Sequence, residues 1–318
     1  MIRIGIVGYG NLGKSCQKLV EKTEDMKLVG IFSRREIKKD GFYKIENIEK
    51  FKDDIDVLIL CGSSDKDIRV QAPLLIKNFN TVDSFDTHIN IPSYEEEMGK
   101  LAEENEKIAI ISTGWDPGLF SIIRTYWEAI LEEGKTYTFW GKGISQGHSS
   151  AVRNIEGIKD ASQYTIPKEE FIKKIKNGEN PEFTPEAAHI REVFAVAEEG
   201  YDKKDLEEKV KSIPNYFDKY HTIVHFISQE ELNKNHKGMP HGGKVIRVGQ
   251  SPNQNQSTIE LSLALENNPD FTAAVNIAYA RAAYKLKKEN KKGAYTVIDI
   301  APKYLLKERR QELIKKFI

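Results

Sequence analysis

Along the first third of the chain the apolar positions switch back and forth between two periods. Ile2–Val7 is a short run rich in β-branched residues, the pattern of a strand buried on both faces. Over Leu12–Glu24 the spacing becomes helical, with Leu12, Cys16, Leu19 and Val20 on one stripe. Lys27–Phe32 returns to strand character, and Val57–Leu60 is another wholly apolar run. The alternation continues through Ile68–Asn78 (helix), Thr81–Asp83 (short strand), Ser93–Glu106 (helix) and Lys107–Ser112 (strand). Strands alternating with helices predict right-handed βαβ units and a parallel sheet.

The middle of the chain reads differently. Thr136–Gly141, Ile190–Ala197, Tyr220–Ile227, Lys244–Val248 and Ser257–Leu265 have strand character without a helix between every pair. Helices are expected at Lys168–Asn177 and Lys203–Ser212, so this part predicts an α+β domain with a mixed sheet. Phe271–Lys288 is strongly helical in period. A strand (Tyr295–Ile300) and a terminal helix near Lys303–Phe317 follow, pieces able to pack back on the first domain. The expected division is residues 1–118 plus 269–318 for a dinucleotide-binding domain and 119–268 for a second domain. No internal repeat or low-complexity segment interrupts it. The lysines at 285, 287, 288, 291 and 292 read as a solvated helix end.

Composition changes the picture little. In 318 residues, 48 Lys+Arg balance 48 Asp+Glu, so there is no electrostatic reason to expect nucleic acid or an acidic membrane as a partner. Cys16 and Cys61 have no metal-type spacing and do not form a disulfide framework, which points to a reducing compartment. With neither a signal peptide nor an apolar run near the ~20 residues of a membrane helix, the expected location is the cytoplasm.

The chemistry begins at Gly8-Tyr9-Gly10-Asn11-Leu12-Gly13, which fits G-x-G-x-x-G between the first strand and the first helix. Gly8 suits the tight turn, Gly10 the approach of a pyrophosphate and Gly13 the close packing of helix on strand, with the helix N-terminus facing the phosphates. The second strand ends in Phe32-Ser33-Arg34-Arg35. No carboxylate is there to take ribose hydroxyls, and two guanidinium groups can meet a 2′-phosphate, so NADP is expected rather than NAD; Arg34 can also stack on adenine. Cys61-Gly62-Ser63-Ser64 follows another strand and falls at the same crevice.

Four polar clusters remain: Val82–His88, Ser112–Gly118, Phe139–Ser149 and Gly238–Gly243. Loops grouping Gly, Pro, Trp and His have a fixed shape to hold. Together with the glycine-rich loop they resemble the meso-diaminopimelate dehydrogenases, through GYGNLGKS, GIFSRR, STGWDPG, TFWGKGISQGHS, QYTIP, MPHGG and NNPDFTA, over nearly the whole chain. The resemblance implies a homodimer in lysine biosynthesis, with the middle domain serving substrate binding and dimerisation. It implies NADP-dependent reversible oxidative deamination of the D-centre of meso-2,6-diaminopimelate. It places Asp86 and Asp116 near the D-centre as the catalytic pair. Trp140, Gln146 and Gly147 line the pocket, and Thr165, Arg191, His241 and Asn268 hold the rest of the substrate. Ser84, Phe85, Thr113, Gly114, Trp115, Pro117 and Gly118 join the cofactor residues.

The residues agree with that assignment on chemical grounds. A substrate with two carboxylates and two ammonium groups needs cations or donors (Arg191, His241, Thr165) and anions (Asp86, Asp116). Asp116 before Pro117 also fits a helix cap, and His148 reads as a satisfied loop histidine. The rival readings are a dihydrodipicolinate reductase, a broad-specificity D-amino-acid dehydrogenase, and a non-catalytic NADP sensor lacking a complete polar pocket.

Overall fold

A computed structural model describes residues 1–214 and 216–318; the side chains of residues 65 and 146 lie outside the description. The chain opens with β1 (Ile2–Val7), α1 (Asn11–Lys22), β2 (Met26–Ser33), β3 (Phe42–Lys44), β4 (Val57–Leu60), α2 (Arg69–Leu75), β5 (Asn80–Asp83), α3 (Ile91–Glu104), β6 (Ile108–Ile110) and α4 (Leu119–Ile130). The middle contributes β7 (Gly134–Trp140), β8 (Gly143–Ile144), α5 (Gln146–Arg153), β9 (Ile158–Pro167), α6 (Glu169–Lys176), α7 (Pro185–Ala188), β10 (His189–Ala197), α8 (Lys203–Lys211), β11 (His221–Phe226), α9 (Gln229–Asn235), β12 (His241–Gln250) and β13 (Gln256–Leu265). The chain ends with α10 (Asn268–Lys288), β14 (Gly293–Tyr295) and α11 (Arg310–Phe317). Two compact units result, Met1–Thr125 with Pro269–Ile318, and Tyr126–Asn268.

In the first unit seven parallel strands run in the order β14-β6-β5-β4-β1-β2-β3. Sequence order reverses at β1, so a crevice opens beyond the carboxyl ends of β1 and β4, the place where open α/β sheets bind ligands. Ile4, Ile6, Val57, Leu58, Ile59 and Leu60 are fully buried, because helices cover both faces of this sheet. The returning C-terminal segment is built into the unit. Ser15 Oγ donates to Asp270 Oδ1 at 2.5 Å, and Thr113 Oγ1 lies 2.9 Å from Asn276 Oδ1. Arg281 pairs with Asp25 at 2.6 Å.

In the second unit the strands divide between two sheets. A mixed four-stranded sheet has the order β11-β10-β9-β8, and an antiparallel three-stranded sheet has the order β13-β12-β7. The fold class is therefore a Rossmann-type parallel sheet joined to an α+β part with a mixed sheet, as the pattern predicts. Two local expectations fail. The strand expected at Tyr295–Ile300 is Gly293–Tyr295, because Thr296 N and Oγ1 both donate to Asp299 Oδ2 (2.8 and 2.9 Å) and turn the chain away. The terminal helix is only Arg310–Phe317, because Arg281 and Lys285 take the carbonyls of Leu305 and Leu306 that a longer helix needs. The lysines ending α10 stay at the surface as expected: Lys285 and Lys287 reach the carbonyls of Leu306 and Glu106 through exposed contacts, and Lys288, Lys291 and Lys292 are exposed.

Candidate active site

The glycine-rich loop sits where β1 meets α1. Gly10 caps the helix, whose first turn carries no acidic residue, so the positive end of the helix dipole faces the crevice unopposed. A Cβ on Gly13 would fall 2.2 Å from Gly8 O, which is the close helix–strand approach the motif requires. A Cβ on Gly10 would meet nothing within 4 Å. Nothing in the protein itself demands glycine there, which is what a ligand-facing position looks like. Beyond the loop is a cavity of about 470 Å³ lined by Gly8, Tyr9 and Gly10, by Ser33, Arg34 and Arg35, and by Cys61, Gly62 and Ser63. Ile45, Asp67 and Gln71 line it too and were not anticipated. The polar loop, the helix end and the two arginines fit a phosphorylated dinucleotide, with backbone N–H groups for the pyrophosphate and guanidinium groups for the adenosine end. Asn11, Leu12 and Gly13 form the first turn of α1 behind the cavity. Beneath it, the Cys61 thiol contacts Cys16 Sγ at 3.7 Å; that contact and burial push it well above the ordinary thiol range.

The loops after β4, β5 and β6 are tied together. Ser64 Oγ donates to Asp86 Oδ1 at 2.6 Å and receives Asp86 N at 3.0 Å. Asp83 is buried beneath Ser84 and Phe85. Its Oδ1 takes Phe85 N (3.0 Å) and Ser112 N (3.1 Å), and its Oδ2 takes the Tyr94 hydroxyl (2.7 Å). Burial nevertheless pushes this carboxyl upward. Phe85 packs on Tyr94 and Trp115 on Phe120, so Thr113 to Gly118 follow β6 in a braced loop. Within it the buried Asp116 carboxylate pairs with Arg124 of α4 at 2.6 Å. Neither Arg124, inside an amphipathic helix, nor Asp67, in a charged stretch with the pattern of a surface, is marked by the sequence pattern.

In the second unit β9 sits between β8 and β10, opposing Thr165 to Arg191 on one side and to Gly143 on the other. Gly141 N donates to Gly242 O (2.8 Å) and Ile144 N to Pro240 O (2.9 Å), which brings the His241 loop alongside. Trp140 pairs with Gly243 across the ladder, and its N–H donates to His189 Nε2 at 3.0 Å. Asn268 N donates to Met239 O at 2.9 Å. Trp140, Thr165, Arg191, His241 and Asn268 thus belong to one neighbourhood. Gly147 lies in the first turn of α5, and the Gln146 side chain is outside the described set.

Arg191 is the unusual member. It is buried, donates Nη1 to Thr165 Oγ1 and lies 4.0 Å from the Tyr220 ring centroid. Its Nε is buried without a partner, as is Gln163 Oε1 nearby on β9. Burial lowers its titration, and among the described residues no carboxylate is within ion-pair distance of it. His148 is satisfied, its Nδ1 2.5 Å from Ser145 Oγ, and burial, then the Arg191 charge, push it down to about 4. Burial also lowers His241. Its Nδ1 lies 2.9 Å from Gly242 N and 3.3 Å from Gly242 O, which fixes the ring against the backbone of β12.

A family model for the diaminopimelic acid dehydrogenase C-terminal domain matches residues 114–267. A meso-diaminopimelate D-dehydrogenase of Acetivibrio thermocellus is 52% identical over 326 residues, covering 100% of this chain and 98% of the relative. The chain belongs to the meso-diaminopimelate D-dehydrogenase family. The Corynebacterium glutamicum DAP dehydrogenase in complex with DAP superposes with a TM-score of 0.92 at 43% identity, covering 100% of this chain and 99% of that one. An engineered D-amino acid dehydrogenase bound to NADP+ gives a TM-score of 0.87 at 42% identity, again covering 100% and 99%. Membership makes the protein an oxidoreductase that works with a nicotinamide cofactor. Among the described residues no helix is long and apolar enough to cross a membrane, and no His, Cys, Asp or Glu cluster could hold a metal ion.

Proposed function

We propose that this protein catalyses the NADP-dependent, reversible oxidative deamination of the D-centre of meso-2,6-diaminopimelate, giving L-2-amino-6-oxopimelate (tetrahydrodipicolinate when cyclised), ammonia and NADPH. The observation carrying this reading is Arg191: a buried guanidinium with an unused Nε, beside Thr165, is a socket for a substrate carboxylate. His241, neutral, and Asn268 add uncharged donors for the same end of the substrate. Trp140 lies in the same neighbourhood, and the family resemblance assigns Gln146 and Gly147 to the pocket lining.

The nicotinamide, when bound, supplies a two-electron hydride acceptor. The protein's own task is placement and proton handling. Asp116, both oxygens bonded to Arg124, has little freedom and suits fixing the reacting ammonium. Asp86, held by Ser64 among the described residues, is the group to take the ammonium proton and to activate the water that releases ammonia. The end of β2, which carries arginines and no carboxylate for the ribose hydroxyls, favours NADP over NAD. Residues 1–118 with 269–318 serve the dinucleotide; residues 119–268 serve the substrate and a homodimer contact, in a cytoplasmic enzyme of lysine biosynthesis.

The test is stoichiometric. Incubated with meso-diaminopimelate and NADP+, the protein should release ammonia and form NADPH one for one, and D-alanine or D-lysine should give far less. Equal rates across D-amino acids would favour the broad dehydrogenase, and cofactor binding with no turnover would favour a sensor.

A further inference from the structure

The two arginines after β2 are not equivalent. Arg34 Nη2 lies 2.7 Å from Asp67 Oδ1, an ion pair that reaches from the end of β2 to the turn after β4, across β1 between them. Both residues line the dinucleotide cavity. Asp67 is itself fixed: its Oδ2 accepts from Ser63 N (2.9 Å) and Ser63 Oγ (3.1 Å). A Cβ on Gly62 would fall 2.4 Å from Asp67 Cβ, so the carboxylate is seated where only glycine can precede it. The Arg34 side chain is 67% exposed, and a solvated arginine left to itself has many rotamers. Arg35 has no ion pair among the described residues; its backbone N–H rests on Ser33 Oγ at 3.1 Å.

Arg34 meets this carboxylate through Nη2, and a carboxylate so close repels a phosphate, which makes Arg34 the poorer of the two partners for one. Its planar face is still open for stacking. We propose that Asp67 is a positioning residue that holds Arg34 flat over the adenine place, and that discrimination for the 2′-phosphate rests on Arg35 with Ser33. This deepens the NADP reading above and rests on it. The pairing also accounts for Asp67, a nearly buried acid in a cavity made for an anion.

Equilibrium binding of NADP+ and NAD+ to the full chain, measured by calorimetry, separates the roles. Arg35→Ala should lower the NADP+/NAD+ affinity ratio about tenfold or more while leaving NAD+ binding unchanged. Arg34→Ala, Arg34→Lys and Asp67→Asn should each weaken both nucleotides about three- to fivefold and leave the ratio in place. Adding Asp67→Asn to Arg34→Ala should cost nothing more, which a merely structural role for Asp67 would not reproduce. The exposed Arg34 variants keep the test valid if Asp67→Asn disturbs the turn. A ratio that collapses in Arg34→Ala with NAD+ binding intact, or that survives Arg35→Ala, overturns the assignment. An unmodified protein with no preference for NADP+ overturns the cofactor reading, and this inference falls with it.

Discussion

Replacing Arg191 by methionine should separate function from stability. The side chain is buried, its charge is opposed by no carboxylate within ion-pair distance among the described residues, and its Nε has no partner. Such a cation is held at a cost to the fold. An apolar side chain of similar volume in place of a buried charge is often neutral or stabilising by about 1–4 kcal/mol. Against that, the hydrogen bond to Thr165 Oγ1 (about 1 kcal/mol) and the stacking on Tyr220 (about 1–2 kcal/mol) are lost. The net expectation is a stability within about 2 kcal/mol of the unmodified protein. Two charge-assisted bonds to a substrate carboxylate are worth about 1.5–3 kcal/mol each, so kcat/KM for meso-diaminopimelate should fall about 10²- to 10⁴-fold. Thermal or urea unfolding gives the first quantity, initial rates the second, and NADP+ affinity should not move. A variant destabilised by more than about 2 kcal/mol that keeps its kcat/KM would show that Arg191 is structural.

Arg247 is the contrasting case: fully buried but saturated by Glu128 (2.5 Å), Thr136 Oγ1 and the carbonyls of Leu131 and Glu132. Arg247→Met should cost about 3 kcal/mol or more by orphaning those acceptors while leaving kcat near normal at permissive temperature; unchanged urea midpoints would contradict this. His148, pushed down to about 4, stays neutral in the folded protein while the unfolded chain takes up a proton below about pH 6.5. Stability is therefore lost as pH falls from about 6.5 towards 4, by about 3 kcal/mol in all, and His148→Asn should flatten that slope; parallel profiles for the two proteins would refute it. Asp116→Asn should lower kcat/KM at least about a hundredfold with NADP+ affinity retained, and a loss confined to cofactor binding would remove Asp116 from the substrate site.

How much of this was legible beforehand depended on whether periodicity carried the information. The βαβ run is readable because buried parallel strands are continuous apolar runs and the helices between them are amphipathic. β9 was not, although it lies at the centre of the mixed sheet. It begins Ile158-Lys159-Asp160 and buries Ser162, Gln163 and Thr165, so neither alternation nor an apolar run marks it. Its polar residues are buried beside Arg191, and a site residue breaks the pattern that would reveal its strand. Most of the substrate residues were legible through family motifs instead, Asp86 and Arg191 lying outside the quoted ones. The Arg34–Asp67 and Arg124–Asp116 pairs depend on tertiary approach, which spacing in a sequence does not encode.

The proposed reaction is stereochemically strict: one amino-acid end is anchored around Arg191, Thr165 and His241, and the opposite, D-configured end is oxidised. It is tested most directly by initial rates of NADPH formation with the meso, L,L and D,D isomers of diaminopimelate at saturating NADP+. The meso isomer should be oxidised rapidly and the L,L isomer essentially not at all, since it has no D-centre to present. Oxidation of L,L-diaminopimelate at a rate comparable to meso would contradict it.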